Sequence, residues 1–449
     1  MPIYNIPNSL NIADYKSWDL NDKFLQSFQV IENYQHQLDN IKLKNNYLRD
    51  LPIKEILNFF DSLSIHWLTD ENSKFLDYFS QLGVSFLINF FKRNNLEQFF
   101  KESLHGNIHC LDDFINTESL NKKIMAHPRG VITHWLAGNV PVLGMISLVQ
   151  GLITKNVNVI KLPRENGLVL PLMLSHLSTF VYKSENLVIK GNDLLDSCMF
   201  IYCEKDDQKS QEILSLNSDI RVAWGGKEAV ETVMTLPRRY GTEDVIFGPK
   251  YSFAVIGKNS FEKNQLKDIA YNLALDASVF EQQGCNSPHT VFVENGSEVS
   301  PLEFAKVLAK SMDEVLKRMP KSPVSADQAY TIVDIRTEYS FTGQVFSSKG
   351  TEWTVIYSDE KGLANACFSR TVFVRPVDNI DEVLNFIEHN NHQTMGLCIQ
   401  DSLKIQFARK ATRKGIERIT ELGKMSVFDY PWDGMFPTNR LVRWVSCQN

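Results

Sequence analysis

From Gly130 onward, short β-branched runs alternate with helix-patterned stretches, and no other feature constrains the fold as tightly. "GVITH" precedes a helical pattern over 142–154, "VNVIK" one over 168–180, "CMFIY" one over 207–215 and "IRVAW" one over 227–235. A helix between strands returns the chain to the same sheet edge, so this spacing predicts βαβ units and a mostly parallel sheet. A second series predicts a second α/β unit: "SFAVI", a helix over 261–275, "TVFVE", a helix over 301–318, "WTVIY", "TVFVR", a helix over 380–390 and "GLCIQ". Gly248-Pro249 in "EDVIFGPK" interrupts the pattern. The expected division is therefore 1–245, carrying an N-terminal helical region and the first sheet, and 246–430, carrying the second. Within the helical region, Ile53, Ile56, Leu57 and Phe60 share one face of a helix whose first turn holds Pro52.

Composition excludes some function classes. Lys plus Arg number 47 against 53 Asp plus Glu, a net charge of −6 with no basic block, which argues against nucleic-acid binding. The opening "MPIYNIPNSLNIADYK" lacks a basic segment followed by an apolar run, and "VPVLGMISLVQGLI" (140–153) is too short to span a bilayer. A cytoplasmic protein without a membrane span is the expectation. The cysteines, at 110, 198, 203, 285, 367, 398 and 447, are odd in number and include no C-x-x-C, so reduced thiols are expected. "HGNIHC" and "HNNH" imitate metal-ligand spacing, but neither has a companion cluster, and no metal is expected.

Neither a P-loop nor a G-x-G-x-x-G is present. In "RVAWGGKEAVETV" a strand ends at Gly225-Gly226 and opens into a helix whose first N–H groups would face an anion, although two glycines also simply make a tight turn. Asn139, in "WLAGNVP", follows a strand; its amide either projects from the sheet's carboxyl edge or closes a turn on its own backbone. Lys161 and Arg164, ending the next strand, suit a phosphorylated ligand or a solvated loop. Cys285, in "VFEQQGCNSPH", stands between a helix and a strand with glycine before it. A lone cysteine is usually structural, yet an accessible thiolate is a strong nucleophile near neutral pH.

Taken in order, "PRGVITHWLAGNVP", "NVNVIKLPREN", "VAWGGKEAV", "FGPKYSFAVIG" and "FEQQGCNSPHTVFVE" resemble the aldehyde dehydrogenase superfamily. "HWLAGNVPVLG", "FEQQGCNSP", "GTEWTVIY" and "WDGMFPTNRLVRWVS" are more similar still to the long-chain acyl-CoA reductases of bacterial light-producing systems, the LuxC family. The resemblance implies a Rossmann-type cofactor domain, an α/β catalytic domain, and small oligomerisation strands, placed at 112–129 with 431–449. It makes Cys285 the nucleophile and Asn139 an oxyanion donor. Lys161, Arg164, Gly225 and Gly226 become cofactor-binding. Two departures from ordinary aldehyde dehydrogenases matter. Ile246 stands where they carry the general-base glutamate, which fits reduction of an acyl thioester and disfavours hydrolysis. Their ribose-holding glutamate has no counterpart in "ACFSRTVFV". Arg164 falls where NAD enzymes of the family place an acidic residue, so NADPH is expected over NADH, although Glu165 is adjacent.

The implied reaction is reduction of a fatty acyl-CoA, or an acyl group delivered by an acyl-protein synthetase partner, to a fatty aldehyde through a thioacyl-Cys285. His134 and His289 are expected in core or turn roles. Two alternatives remain at this level: a non-redox acyltransferase or thioesterase-like enzyme using the same cysteine, and a non-catalytic subunit of the same fold. A homo-oligomer follows by analogy with the superfamily.

Overall fold

The computed structural model describes residues 24–448 apart from 70–71, 81, 118–120, 168, 259, 261 and 322. The opening stretch before Phe24, read above for targeting signals, lies outside the described residues. Two compact units emerge: one runs to Gly248 and resumes at Met435, the other is Pro249–Gly434. Among the described residues, no helix is long and apolar enough to cross a membrane.

In the first unit, the helices Ser27–Asp50, Ile53–Trp67, Ser73–Ser80, Val84–Phe91 and Arg93–Ser103 precede the sheet. The stripe predicted on the second helix is its buried face, with Ile53, Ile56, Leu57 and Phe60 all sealed from solvent; Pro52 caps that helix rather than entering it. Phe59 packs edge-on against Phe60 and Phe180, and Phe91 lies against Phe60 and Trp67, so aromatic burial holds the helices together. A short strand, Phe24–Gln26, was not anticipated in the helical region.

The six-stranded sheet is parallel, in the order Phe24–Gln26, Cys198–Tyr202, Val157–Lys161, Val131–Trp135, Ile220–Trp224, Glu243–Phe247. From Val131–Trp135 the chain builds outward through two strands, then returns to the other side of its starting strand with Ile220–Trp224. This reversal opens a crevice at the carboxyl ends, where open α/β sheets bind ligands. A separate antiparallel sheet pairs Val442–Gln448 with Lys122–Pro128, which also pairs with Ile115–Asn116.

The second unit carries a seven-stranded sheet ordered Gln344–Ser347, Thr354–Tyr357, Thr371–Val377, Pro288–Glu294, Tyr251–Ile256, His392–Cys398, Arg418–Thr420. Only its first pair is antiparallel. Both faces are covered. Ala254, Ile256, Val291 and Val293 pack on one side with the helices Leu266–Ser278 and Pro301–Arg318, while Phe253, Val255 and Phe292 pack on the other with Val383 and Phe407. The period-two alternation of a strand explains the split. Pro288–Glu294 is a central strand, buried at every position.

Candidate active site

Each functional residue predicted in the first unit stands at the carboxyl edge of its sheet. Asn139 is exposed in the loop after Val131–Trp135. Gly138 lets that loop approach its neighbour: a Cβ there would lie 2.4 Å from the Glu165 carbonyl oxygen, and the Asn166 amide donates to the Gly138 carbonyl at 2.8 Å. Lys161 closes the next strand, and Arg164 is exposed just beyond it. Burial lowers the Lys161 ammonium from its usual range, while Cys203 and the Glu204 carboxylate oppose that shift. Glu204 gave no signal in the sequence. Gly226 caps the helix Lys227–Thr235 without a side-chain bond, and a Cβ on it would meet nothing within 4 Å. The first N–H groups of that helix therefore open onto space that suits an anion.

Ile246 lies in the edge strand Glu243–Phe247 and packs against the buried cluster of Val131, Trp135 and Val230. His134 is a core residue bonded to Ser147 (2.8 Å) and Asn158 (3.1 Å), held neutral because burial lowers its pKa to about 4. His289 is likewise buried and lowered to about 4, with its Nδ1 unpartnered.

Cys285 lies in the second unit, at the amino edge of Pro288–Glu294, and is half-buried. The turn that presents it closes with Ser287 N–H donating to the Gly284 carbonyl at 3.0 Å. A Cβ on Gly284 would come within 2.6 Å of Asn286 Oδ1, so a larger residue there would have to displace the side chain that ties the turn to the Met425 carbonyl. Ser252 Oγ donates to the Cys285 carbonyl (2.6 Å) and accepts from Thr394 N–H (3.0 Å), pinning the turn to the adjacent strand Tyr251–Ile256 and, through it, to His392–Cys398.

The approach to this turn is unusual. Phe280, Glu281 and Gln282 all have positive φ (51°, 54° and 62°), as do Phe368, Ser369 and Arg370 (59°, 57° and 61°). Left-handed backbone costs a non-glycine residue roughly 1–2 kcal/mol. The two turns hold each other: Ser369 N–H donates to the Glu281 carbonyl (2.9 Å), and Arg370 forks onto Glu281 with two bonds of 2.8 Å. Gln282, fully buried, donates to the carbonyls of Pro288 and Thr371 (2.9 Å each) and accepts from Thr371 N–H (2.7 Å).

Burial pushes the Cys285 thiol well above its ordinary range, and the Asp433 carboxylate adds to the rise. A hydrogen bond from the Gln393 side chain and the charge of Lys250 act the other way. These partners come from three separate places in the second unit. Gln393 sits in His392–Cys398, Lys250 precedes Tyr251–Ile256, and Asp433 lies near the unit's end. Among the described residues, no group of three or more His, Cys, Asp or Glu is placed to hold a metal ion.

A family model described as "Acyl-CoA reductase (LuxC)" matches residues 48–444. The chain belongs to the LuxC family. Its relatives include the long-chain acyl-protein thioester reductase of Aliivibrio fischeri, 27% identical with 96% of this chain and 89% of the relative covered. That of Vibrio harveyi is 28% identical, with 90% and 84% covered. Solved structures of the same fold include aldehyde dehydrogenase 21 from Physcomitrella patens, at TM-score 0.64 and 11% identity, covering 93% of this chain and 90% of that one. A 3,6-anhydro-L-galactose dehydrogenase in complex with NAP has TM-score 0.59 and 12% identity, covering 93% and 91%. The fold is that of the aldehyde dehydrogenases, as the ordered motifs implied.

Proposed function

We propose that this LuxC-family protein reduces long-chain fatty acyl thioesters to aldehydes with NADPH, through a thioacyl-Cys285 intermediate. The observation that carries the reading is the turn 284–287: a thiol at the amino edge of a central strand, half-buried and fixed through Ser252 of the adjacent strand, in a chain whose curated relatives are named thioester reductases. The acyl donor is a fatty acyl-CoA or, as the relatives' names suggest, an acyl group carried on a partner protein such as an acyl-protein synthetase.

In this reading the Cys285 sulfur attacks the thioester carbonyl and the donor thiol leaves. Negative charge develops on the carbonyl oxygen, and two donors are assigned to it: the Cys285 backbone N–H and the Asn139 amide. Losing one such donor typically costs about 2.7–4 kcal/mol. The first unit's sheet edge fits a dinucleotide. Lys161 and Arg164 would hold the adenosine ribose and its phosphate, and Gly225-Gly226 would admit the pyrophosphate to a helix N-terminus that no side chain caps. When bound, NADPH supplies the hydride that converts the thioacyl carbon to the aldehyde carbon. The apolar Ile246 offers water no base, which preserves the thioester for reduction. A homo-oligomer joined through the sheet of Lys122–Pro128 and Val442–Gln448 completes the proposal, with its mass read by sedimentation.

The test is aldehyde formation across acyl-CoA chain lengths, and from an acylated partner protein, with NADPH and NADH in parallel. Long-chain aldehyde made faster with NADPH is expected. Acyl turnover without any dinucleotide oxidation would replace this reading with a non-redox acyltransferase.

A further inference from the structure

The thiol at 285 is protonated in its buried setting, so acyl transfer needs somewhere for that proton to go. Ile246 offers none. Ser252 ties the Cys285 carbonyl to Thr394 N–H, and Gln393, next to Thr394, donates to Asp433; with Lys250 these are the side chains that bear on the sulfur. Lys250 is paired with Glu417 at 3.1 Å and donates to the Asn390 carbonyl at 2.9 Å, and an ammonium has no lone pair with which to accept a proton. Gln393 carries no exchangeable charge. Asp433 remains.

We propose that Asp433 takes the proton of the Cys285 thiol and returns it to the departing thiol of the acyl donor, with the Gln393 amide positioning both groups. The proposal rests on the functional reading above and names the proton acceptor within it.

Asp433 belongs to a segment clamped against the cysteine turn. Asn286, next to Cys285, donates to the Met425 carbonyl at 2.8 Å. Asp276 accepts from the N–H groups of Gly423 and Met425 (2.5 and 3.1 Å). Arg418 gathers the carbonyls of Lys424, Met425 and Val427 and pairs with Asp429 at 2.8 Å. Trp432 lies tilted against Phe428, ring centroids 4.5 Å apart, beneath the Arg418 guanidinium. At the end of this segment, Asp433 adopts φ 47°, a conformation Asp and Asn tolerate better than most residues. Its Oδ1 accepts from Gln393 Nε2; its Oδ2 is sealed from solvent without a partner, a costly arrangement for an atom with no task. Burial, then the neighbouring Glu417 carboxylate, raise Asp433 to about 7, against Gln393 and Lys250, which hold it down. Burial thus strengthens the carboxylate as a proton acceptor, as a base toward the thiol requires.

With Lys250 and Glu417 cancelling, the thiol and Asp433 share one negative charge. Moving the proton from Sγ to the carboxylate leaves the net charge of the cluster unchanged, which avoids creating a second buried charge. The thiolate forms its C–S bond to the acyl carbon, the donor's C–S bond breaks, and the leaving thiolate takes the proton from Asp433. Atoms, electrons and charge return to balance, with the acyl group now on Cys285.

The test is Asp433→Asn, which keeps an oxygen for Gln393 and suits the left-handed backbone. Two quantities are read against pH: the iodoacetamide alkylation rate of Cys285, and single-turnover acyl uptake from tetradecanoyl-CoA without dinucleotide. Removing a carboxylate charge should lower the alkylation midpoint by roughly one unit. Losing the proton acceptor should nonetheless slow acyl uptake on the order of 10²–10⁴-fold. A more reactive thiol that transfers acyl groups more slowly is the signature a merely structural role would not give. Undiminished acyl uptake would overturn the proton-acceptor role, and an unmoved midpoint would overturn the coupling. If the variant does not fold, the wild-type profile decides: acyl uptake must fall as pH drops through about 7, and a flat profile there overturns the proposal. Wild-type protein that takes up no acyl group while the midpoint shift stands would defeat the functional reading and leave the coupled pair intact.

Discussion

Replacing Gln282 with methionine, its closest apolar match in shape, should both destabilise the second unit and misplace its nucleophile. The side chain makes three buried hydrogen bonds, all to backbone. Methionine makes none. Thr371 N–H keeps a second acceptor, the Phe368 carbonyl at 3.1 Å, so two carbonyls bear the loss. Leaving a buried polar group without its partner costs about 1–3 kcal/mol, and a carbonyl with a second lone pair falls at the lower end. The expected cost is therefore about 2–4 kcal/mol, read from chemical denaturation. The same bonds offset the strain of the left-handed turn 280–282, so the turn should relax and carry Cys285 with it. Displacement of a nucleophile by about 1 Å costs on the order of 10²-fold in rate. Single-turnover acylation should fall by that factor in the folded variant. A stability loss below about 0.5 kcal/mol together with wild-type acylation would refute the claim that the paired turns position the cysteine.

Three further outcomes follow from the first unit. Arg164→Glu should shift the preference from NADPH toward NADH by at least about tenfold in the ratio of kcat/KM values, since an acidic group repels the 2′-phosphate; an unchanged ratio would place cofactor selection elsewhere, with Glu204 the next residue to test. Asp244→Asn removes the partner that holds the buried Arg221 guanidinium through bonds of 2.6 and 2.7 Å, and thermal or chemical denaturation should show about 3–5 kcal/mol lost. His134 is lowered from 6.5 to about 4 in the folded protein. Between those pH values the unfolded chain holds the extra proton, so folded stability declines as pH falls from about 6.5 to about 4, by up to roughly 3 kcal/mol from this residue; His134→Gln should flatten that share of the acid limb, and an unaltered slope would contradict it.

The two sheets were legible because their strands are apolar on both faces and separated by amphipathic helices. Val131–Trp135, Val157–Lys161, Cys198–Tyr202 and Ile220–Trp224 fall where the β-branched runs placed them. Boundaries slipped where capping or packing decides. The helix expected over 261–275 begins at Leu266, after a Glu262–Gln265 capping box, and continues to Ser278. The helix expected over 380–390 is a 3₁₀ helix, Ile380–Phe386, with Ile387 already extended. The C-terminal strand of the segment placed at 431–449 starts only at Val442, because Pro437 first opens a short helix. The helix Ala326–Thr342 was missed since it buries only Ile332 and Tyr339 and exposes Tyr330, Val333 and Phe341, which blurs its apolar stripe.

At the site, Cys285 and Gly284 stood out locally, as did the glycines at 225–226. The paired left-handed turns did not, because "FEQ" and "FSR" contain no glycine and owe their shape to bonds between segments distant in the chain. Gln393 and Asp433 are ordinary residues in sequence; only the parallel pairing of strands and the clamped segment after Arg418 bring them to bear on the thiol.

The central claim is that Cys285 carries the acyl group on its way to aldehyde. Incubating the protein with labelled tetradecanoyl-CoA and locating the label by peptide mapping tests it most directly. A hydroxylamine-labile label on Cys285, absent in Cys285→Ala and released as tetradecanal when NADPH is added, is the expected result. Label that persists in Cys285→Ala, or that NADPH leaves in place, would contradict it.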